Sequence, residues 1–147
     1  MKKIFINTDG GSRGNPGPAG IGVVFYDQDE KEIKSHRECI GRATNNEAEY
    51  SAIVCALKIL FESNWFDQNI SDGGEVICRL DSQLVVEQIN GRYKIKQPHL
   101  QVFNDEIKNL LSEFQTEISF IHVRREQNKR ADQLVNMALD EEIKTNK

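Results

Sequence analysis

The chain has 147 residues, which is near the commonest size of a single domain and enough to bury a hydrophobic core. Its composition, with 38% hydrophobic residues, 29% charged residues and three prolines, excludes a disordered or fibrous protein. The net charge of -4 excludes broad electrostatic attraction to phosphates, so any binding of nucleic acid depends on local basic patches or on bound cations.

Signals for membrane insertion, export or disulfide formation are weak in this sequence. No apolar run approaches the roughly 18 residues of a membrane-spanning helix, and residues 1–3 lead straight into a strand-like segment. Three cysteines lie in apolar segments without short metal-ligand spacing, which predicts buried reduced thiols at Cys39, Cys55 and Cys78. We expect one cytoplasmic domain over residues 1–147, acting as a monomer without a membrane partner, with a core at about 3–142 and a frayed tail at 144–147.

The first part of the chain predicts an antiparallel meander. Residues Lys3 to Asp9 are short and rich in β-branched side chains, and they stop at Gly10-Gly11 as a strand stops at a turn. Gly20 to Tyr26 predicts a second strand, Asp27 to Glu30 a hairpin turn, and Glu32 to Ile40 a weaker third strand.

The middle of the chain predicts a helix followed by a parallel strand. From Asn45 to about Glu62 the apolar residues repeat with a helical period, and the break at Ser71 to Gly74 leads into a strand from Glu75 to Leu80. A strand, a helix and another strand form a crossover connection, which implies parallel pairing of the two strands.

The last part of the chain predicts two helices, one strand and a final helix. Helices are expected from Ser82 to Asn90 and from His99 to Phe114, and the basic segment Gly91 to Gln97 connects them. A last strand is expected from Thr116 to Ile121, before a final helix that ends near Glu142.

Two aspartates lie at or directly after the ends of predicted strands. Asp9 ends the first strand, where an open α/β sheet places functional groups, although aspartate is also a common turn residue before Gly-Gly. Asp81 follows the strand that ends at Leu80 and can cap the next helix. Ser82 can cap that helix equally well, which leaves Asp81 available beside Asp9 if their strands pair in parallel.

Two glutamates near the start of the first helix point to nearly opposite sides of it. Glu47 lies three residues after Thr44, which is the spacing of a capping box, so it has a structural role. Glu49 shares a helical stripe with apolar residues such as Ile53 and is expected to be buried. A buried carboxylate needs a partner, and a metal ion is one such partner.

Asp132 lies one turn inside the final helix, on a stripe with Val135 and Leu139. Aspartate is a poor helix former and a poor core residue there. The alternative is a charge at the edge of a solvated face, partnered by Lys129 or Asn136.

The four acids Asp9, Glu49, Asp81 and Asp132 come from two strand ends and two helices that one sheet can bring together. Clustered carboxylates repel one another unless cations neutralise them. Oxygen ligands without cysteine or paired histidines favour hard cations, first Mg²⁺ and second Mn²⁺. Two such ions about 4 Å apart stabilise both the attacking and the leaving oxygen of a phosphodiester displacement.

Five motifs follow one another along the chain: Thr8-Asp-Gly-Gly-Ser12, Gly14-Asn-Pro-Gly-Pro18, Thr44-Asn-Asn-Glu-Ala-Glu49, Leu80-Asp-Ser-Gln83 and Asn128-Lys-Arg-Ala-Asp132. With them the sequence resembles the type 1 ribonuclease H family from Ile4 to about Leu139. The resemblance implies an α/β fold of the ribonuclease H type, with a five-stranded mixed sheet flanked by helices. Its first three strands are antiparallel, and the fourth and fifth are parallel to the first. It also implies that the four acids hold two divalent cations.

The resemblance further implies a set of substrate-binding residues that face a nucleic-acid duplex: Gly10, Asn15, Thr44, Asn45, Asn46 and Gln83. Amide side chains donate to and accept from the 2′-hydroxyl that distinguishes RNA from DNA. Turn chemistry for Asn15 and helix capping for Thr44 and Asn45 are alternatives that are compatible with binding.

The chain departs from many bacterial members after the third helix of the family. A long basic protrusion with tryptophan is replaced here by Asn90-Gly-Arg-Tyr-Lys-Ile-Lys96. Within it, Tyr93 is a candidate for stacking and Arg92, Lys94 and Lys96 are candidates for phosphate contacts, while an exposed basic turn without function is the alternative.

The loop before the final helix is compact and lacks the glycine-rich histidine loop of those members. His122 stands ten residues before Asp132, roughly where that histidine falls, but it can instead complete the last strand. Arg125 and Glu126 are rival candidates for assisting product release or protonation of the leaving group.

The leading hypothesis is an endonuclease that hydrolyses the RNA strand of RNA–DNA hybrids by a two-metal-ion mechanism, giving 5′-phosphate and 3′-hydroxyl ends. The same site acting on double-stranded RNA, or on a DNA strand, is an alternative enzyme. A nucleic-acid-binding module without catalysis is a third hypothesis, because a fold alone does not establish function.

Overall fold

The computed structural model describes residues 2–70 and 73–145. Five strands, five α-helices and one short 3₁₀ segment follow one another within these residues. Their bounds are β1 Lys3–Ser12, β2 Gly17–Tyr26, β3 Glu32–Ala43, α1 Asn45–Phe61, α2 Asn64–Asn69, β4 Glu75–Leu80, α3 Gln83–Ile89, α4 Pro98–Ser112, β5 Glu117–His122, the 3₁₀ turn Arg125–Gln127 and α5 Lys129–Thr145.

The five strands form one mixed sheet in the order β3-β2-β1-β4-β5. Strand β2 is antiparallel to both β1 and β3. Strand β4 is parallel to β1 and to β5, with Thr8 opposite Leu80 and Leu80 opposite His122. The expected fold class, including the parallel pairing of the first and fourth strands, is confirmed.

Helices cover both faces of the sheet. Helix α1 packs on β1 and β2 and is covered in turn by α4, and the main hydrophobic core lies between these helices, α3 and the sheet. Helix α5 packs on the opposite face against β1, β2 and β3. Between α5 and the sheet is a small apolar cluster of Val24, Ala131 and Leu134. Neighbouring residues of β1 therefore face different helices, since successive strand residues point to opposite faces.

Strand β1 is longer than predicted, because it continues through Gly10-Gly11 to Ser12 instead of turning there. Gly10, Gly11 and Ser12 pair with residues 19–21 of β2, so the glycines serve close packing and not a turn. The prediction of a strand end at Asp9 was wrong. Asp9 lies inside the strand, but immediately beyond the last pairing with β4.

Other boundaries differ where the local pattern is weak. Helix α2, Asn64–Asn69, was not predicted, although Ser63 caps it by accepting a hydrogen bond from the backbone of Phe66. Strand β3 runs on to Ala43, three residues beyond the predicted end. The final helix reaches Thr145, so residues 144 and 145 of the predicted frayed tail are helical, while 146 and 147 lie outside the described residues. Residues 71 and 72 of the predicted break also lie outside them.

All three cysteines are free thiols, as expected. Only Cys78 is fully buried, whereas Cys39 and Cys55 are partly exposed, so the prediction of burial was wrong for these two. They lie on β3 and on α1 respectively. Across the described ranges, no helix is both long and apolar enough to cross a bilayer.

Candidate active site

Three carboxylates meet where β4 stops beside β1. Asp9 comes from β1, Glu49 from the first turns of α1, and Asp81 from the residue after β4. One oxygen from each lies within 4.8 Å of the others. Asp9 and Glu49 are only 7% and 6% exposed, and Asp81 is half-buried. Asp132 of α5 is exposed and lines the same cavity of about 390 Å³, so all four acids border one open space.

The position of Glu49 depends on the absence of a side chain at Gly10. The backbone N–H of Gly10 donates to Glu49 Oε1 at 2.9 Å. This N–H has no β4 neighbour, because the pairing of β1 with β4 ends at Thr8. A Cβ at Gly10 would lie 2.3 Å from the carbonyl carbon and oxygen of Ala48, so only glycine lets α1 approach β1 this closely.

The helix caps leave the clustered acids available. Thr44 and Glu47 form the predicted capping box, in which Thr44 N–H donates to Glu47 Oε1 at 2.9 Å and Glu47 N–H donates to Thr44 Oγ1 at 3.2 Å. Ser82, and not Asp81, caps α3 by accepting from Val85 N–H. The predicted separation of Glu47 from Glu49 and the expected burial of Glu49 are confirmed.

The electrostatics of the cluster favour protons or cations. Burial, followed by the charges of Asp81 and Asp132, raises the pKa of Asp9 to about 7, against the hydrogen bonds that lower it. Burial and the neighbouring Asp9 raise the pKa of Glu49 well above its ordinary value. Burial also raises the pKa of Asp81, while the charge of Arg125 and a hydrogen bond from Asn128 oppose the rise. Ionised together, these groups need a compensating positive charge.

The donor set fits hard divalent cations. Among the described residues, Glu49 Oε2 is buried without a hydrogen-bond partner. The described lining of the cavity includes neither histidine nor cysteine, so its anionic ligands are all carboxylate oxygens. Mg²⁺ and Mn²⁺ prefer such oxygen ligands. The residues present therefore suit the cations expected from the sequence.

The sequence indicated no role for Asn128, whose side chain connects the segment before α5 to β1. Asn128 is buried, donates to the carbonyl of Thr8 at 2.9 Å, and accepts from Asn7 at 3.1 Å. Its side chain lies close enough to Asp81 to lower the pKa of that carboxyl. In the sequence, an asparagine directly before a predicted helix is the available signal, and by itself it predicts only a helix cap.

The predicted substrate residues at the rim are joined to one another. Asn45 N–H donates to Asn15 Oδ1 at 3.0 Å, and Ser12 N–H donates to Asn45 Oδ1 at 2.9 Å. Asn45 and Asn46 line the cavity together with Gly10. Gln83 is exposed at the first turn of α3, two residues after Asp81. Thr44 has the capping role described above.

The three candidates for assisting catalysis lie in different places. Arg125 lines the cavity beside Asp81. His122 completes β5, as the alternative interpretation stated, and it is exposed. Glu126 is exposed on the 3₁₀ turn and is not among the residues that line the cavity. Of the three, only Arg125 is placed beside the described carboxylates.

The basic segment after α3 is exposed from Arg92 to Lys94 and again at Lys96. Arg92 is held by Glu87, with Nε to Oε2 at 2.7 Å and Nη2 to Oε1 at 3.0 Å. Within the described part of the chain, no ion pair involves Lys94 or Lys96. The charges of Lys94 and Lys96 are therefore more available to a ligand than the charge of Arg92.

Comparisons with known proteins agree with this geometry. A family model described as reverse transcriptase-like matches residues 7–138. Ribonuclease H of Clostridium botulinum is 35% identical over 153 residues, which cover 96% of this chain and 98% of that protein. Bifunctional protein Rv2228c of Mycobacterium tuberculosis is 41% identical over 140 residues, which cover 94% of this chain. The match spans only 36% of that relative's length.

A solved structure supports the same grouping. LC11-RNase H1 in complex with an RNA/DNA hybrid has a TM-score of 0.87 to this chain and 43% sequence identity. The match covers 95% of this chain and 99% of that chain. The five motifs, the sheet topology and the carboxylate cluster therefore have a common explanation, and this chain belongs to the type 1 ribonuclease H family.

Proposed function

We propose that this chain is an endonuclease that hydrolyses the RNA strand of RNA–DNA hybrids, leaving 5′-phosphate and 3′-hydroxyl ends. In this proposal Asp9, Glu49, Asp81 and Asp132 hold two divalent cations. The observation that carries it is Glu49 Oε2, buried beside Asp9 and Asp81 without a hydrogen-bond partner among the described residues. An uncompensated buried carboxylate is costly, and a cation compensates it.

The proposed cations are two Mg²⁺ ions, for which Mn²⁺ can substitute, because the ligands are carboxylate oxygens. When bound, two such ions stabilise the attacking and leaving oxygens of a phosphodiester displacement. The protein's part is to fix its carboxylates before substrate arrives. Gly10 N–H donates to Glu49 Oε1, so this carboxylate keeps its orientation, and Asn128 lies beside Asp81.

Arg125 is the proposed contact for a substrate phosphate next to the cleaved bond. It lies beside Asp81 at the border of the cavity, and a guanidinium pairs well with phosphate oxygens. Roles for His122 and Glu126 in protonation of the leaving group or in product release stay predictions. His122 ends β5 and is not among the residues that line the cavity, so such a role requires substrate to extend beyond that cavity.

Recognition of RNA is proposed for the amides at the rim. Asn15 and Asn45 are each held through the side-chain oxygen by a backbone N–H, which orients the Nδ2 end as the donor for a ligand. With Asn46 and Gln83, these groups are suited to a 2′-hydroxyl or to base edges in the minor groove. LC11-RNase H1 has been solved with an RNA/DNA hybrid, which supports the same choice of substrate.

A cleavage assay on matched substrates tests the proposal. The wild-type protein is offered an RNA–DNA hybrid, an RNA duplex, a DNA duplex and single-stranded RNA of one sequence, with Mg²⁺ or with a chelator. We expect cleavage of the RNA strand of the hybrid with Mg²⁺, and end analysis should find 5′-phosphate and 3′-hydroxyl groups.

Two variants make the assay specific to the cluster. Asp81→Asn removes a proposed ligand and should lose cleavage, while Glu47→Gln changes an acid that only caps α1 and should keep it. Cleavage that persists in Asp81→Asn, or with the chelator, would contradict the proposed site. Equal cleavage of the RNA duplex would instead favour double-stranded RNA as the substrate.

A further inference from the structure

A second group of metal-ligand side chains lies between β3 and α1. His36 and Glu38 come from β3 and Cys55 from α1, and one ligand atom from each lies within 4.8 Å of the others. His36 Nε2 is already 2.9 Å from Glu38 Oε1. Cys55 follows Glu49 by six residues, which is about 9 Å along a helix axis. The group therefore has its own place, separate from the four carboxylates.

The strand and helix bring these three side chains together by their periodicity. His36 and Glu38 are two residues apart on a strand and so share a face, and that face is turned towards α1. Arg37 and Cys39, with the opposite parity, contact Glu141 and the carbonyl of Ala138 on α5. The arrangement thus follows from the register of β3 and is not a chance meeting of long surface side chains.

We propose that His36, Glu38 and Cys55 bind one zinc ion. Zinc takes imidazole, carboxylate and thiolate ligands together, usually as a tetrahedron with bonds of about 2.0–2.3 Å. Such bonds place ligand atoms about 3.3–3.8 Å apart, so separations of up to 4.8 Å require a contraction of about 1 Å or somewhat more. The side chains of His36 and Glu38 are 35% and 52% exposed, which leaves them room to make this adjustment.

The fourth ligand is water. Glu62 lines the same cleft but lies about 10 Å from Cys55 along the axis of α1, so it adds negative charge near the site without being a ligand. Lys58 and Glu106 also border the cleft, but Lys58 Nζ pairs with Glu106 Oε1 at 3.2 Å, so its charge is directed towards α4. The acidic groups around the cleft offset the charge of a dication.

The donor set favours zinc over the magnesium of the proposed active site. Magnesium prefers oxygen ligands, whereas imidazole and thiolate select zinc and later first-row metals. Burial and the charge of Glu38 raise the pKa of the Cys55 thiol to about 11, although Lys58 lowers it. A coordinated thiol loses its proton to the influence of the cation, so the high pKa reduces the affinity without removing the ligand.

Bound zinc would join the edge strand β3 to α1 and would stabilise the folded chain, since a ligand that binds only the native state raises stability by mass action. Cobalt is a spectroscopic substitute for zinc, and a thiolate ligand gives it a charge-transfer absorption band. The described residues that line the carboxylate site include no cysteine, so cobalt bound there would not give this band.

The experiment titrates the full chain with Co²⁺ and then displaces it with Zn²⁺, with excess Mg²⁺ present throughout. We expect one equivalent of cobalt with a thiolate charge-transfer band, and a zinc-dependent rise in Tm. Cys55→Ser should remove the band, and His36→Ala should weaken zinc binding by at least about 100-fold, because even changes to the residues that support a metal's ligands cost about 10–100-fold. Cys39→Ser, on the opposite face of the same strand, should keep both.

Two results would overturn the proposal. One is the absence of a thiolate band in wild-type protein, which would leave His36 and Glu38 as a surface pair only. The other is a band that survives Cys55→Ser but disappears in Cys39→Ser. His36→Ala guards against a folding defect in Cys55→Ser, because the His36 side chain is partly exposed and its removal leaves the core untouched.

Discussion

Gly10 and Glu49 are joined across the junction of β1 and α1 by a hydrogen bond of 2.9 Å from the backbone N–H to Oε1. Gly10 has no side chain to keep α1 at the usual distance, and α1 places Glu49 over the part of β1 that β4 no longer covers. One close approach thus fixes the strand, the helix and the buried acid of the proposed cation site.

The first prediction concerns this close approach. Gly10→Ala should destabilise the protein by about 1–3 kcal/mol or more, because the new Cβ would lie 2.3 Å from the backbone of Ala48 and overpacking costs that much. Gly11→Ala is the matched control, since its Cβ would meet only Val135 Cγ1 at 3.6 Å. Urea unfolding of both variants decides the matter, and equal stabilities would refute the close-packing account.

The second prediction separates two neighbouring glutamates. Glu49→Gln should abolish cleavage, because it replaces a proposed ligand with a neutral amide. Glu47→Gln should cost little, since glutamine also serves as the third residue of a capping box. Initial rates on an RNA–DNA hybrid at saturating Mg²⁺ give the comparison, and an essential Glu47 beside a dispensable Glu49 would show that the assignment is reversed.

The third prediction concerns pH and the metal-free protein. The pKa of Asp9 is raised from 3.8 to about 7 in the folded state, mainly by burial. Its contribution to stability is therefore fully present below about pH 4 and is lost as the pH rises towards about 7. Glu49 and Asp81, whose pKa values are also raised, act in the same direction.

Asp9→Asn removes this pH-dependent destabilisation. In the presence of a chelator, the variant should gain stability relative to wild type as the pH rises through this window, and it should show no cleavage. Adding Mg²⁺ should raise the stability of wild type more than that of the variant, because the cation needs the carboxylate. Urea unfolding at several pH values measures the difference, and a difference that does not change with pH would contradict the assigned electrostatics.

The fourth prediction concerns the basic segment after α3. Replacing Arg92, Lys94 and Lys96 together by alanine should weaken binding to the hybrid and to a DNA duplex alike, because phosphate groups position a nucleic acid without identifying it. The slope of the logarithm of affinity against the logarithm of salt concentration should become shallower by about 0.9 for each phosphate that the variant no longer neutralises. Catalysis at saturating substrate should persist.

Single variants of this segment should differ. Lys94→Ala should weaken binding more than Arg92→Ala, since Glu87 already neutralises Arg92 through two hydrogen bonds. Titrations at fixed ionic strength compare the two, which remove the same charge from the same segment. Unchanged affinity in the triple variant would mean that the segment is only a solvated turn.

Periodicity and capping predicted most of the fold. The helix from Asn45 has a long pattern and the strand from Glu75 to Leu80 has a regular one. In the structure the helix begins at Asn45, and the strand runs from Glu75 to Leu80, as predicted. Helix α2 was not predicted, because six residues are too few to show a helical repeat of apolar side chains. Strand β1 was cut short because Gly10-Gly11 was interpreted as a turn, whereas the glycines allow two helices to approach opposite faces of the strand.

The site was only partly predictable, for a physical reason. The register of α1 distinguished Glu49 from Glu47, since a capping box and a buried stripe are both local patterns. Asn128 is connected to Asn7 and Thr8 over 120 residues or more of sequence, and local patterns do not report such contacts. The pairing of Arg92 with Glu87 likewise depends on how the segment folds back on α3.

The location of the bound cations is the central claim, and it has a direct measurement. Crystals of Asp132→Asn grown with Mn²⁺ and an RNA–DNA hybrid are suited to this, since the variant slows cleavage if Asp132 is a ligand. Anomalous scattering should place manganese among Asp9, Glu49 and Asp81, with their carboxylate oxygens coordinated directly to it. The account would be contradicted if the wild-type protein cleaves the hybrid with Mn²⁺ but these crystals show no anomalous density in this cluster.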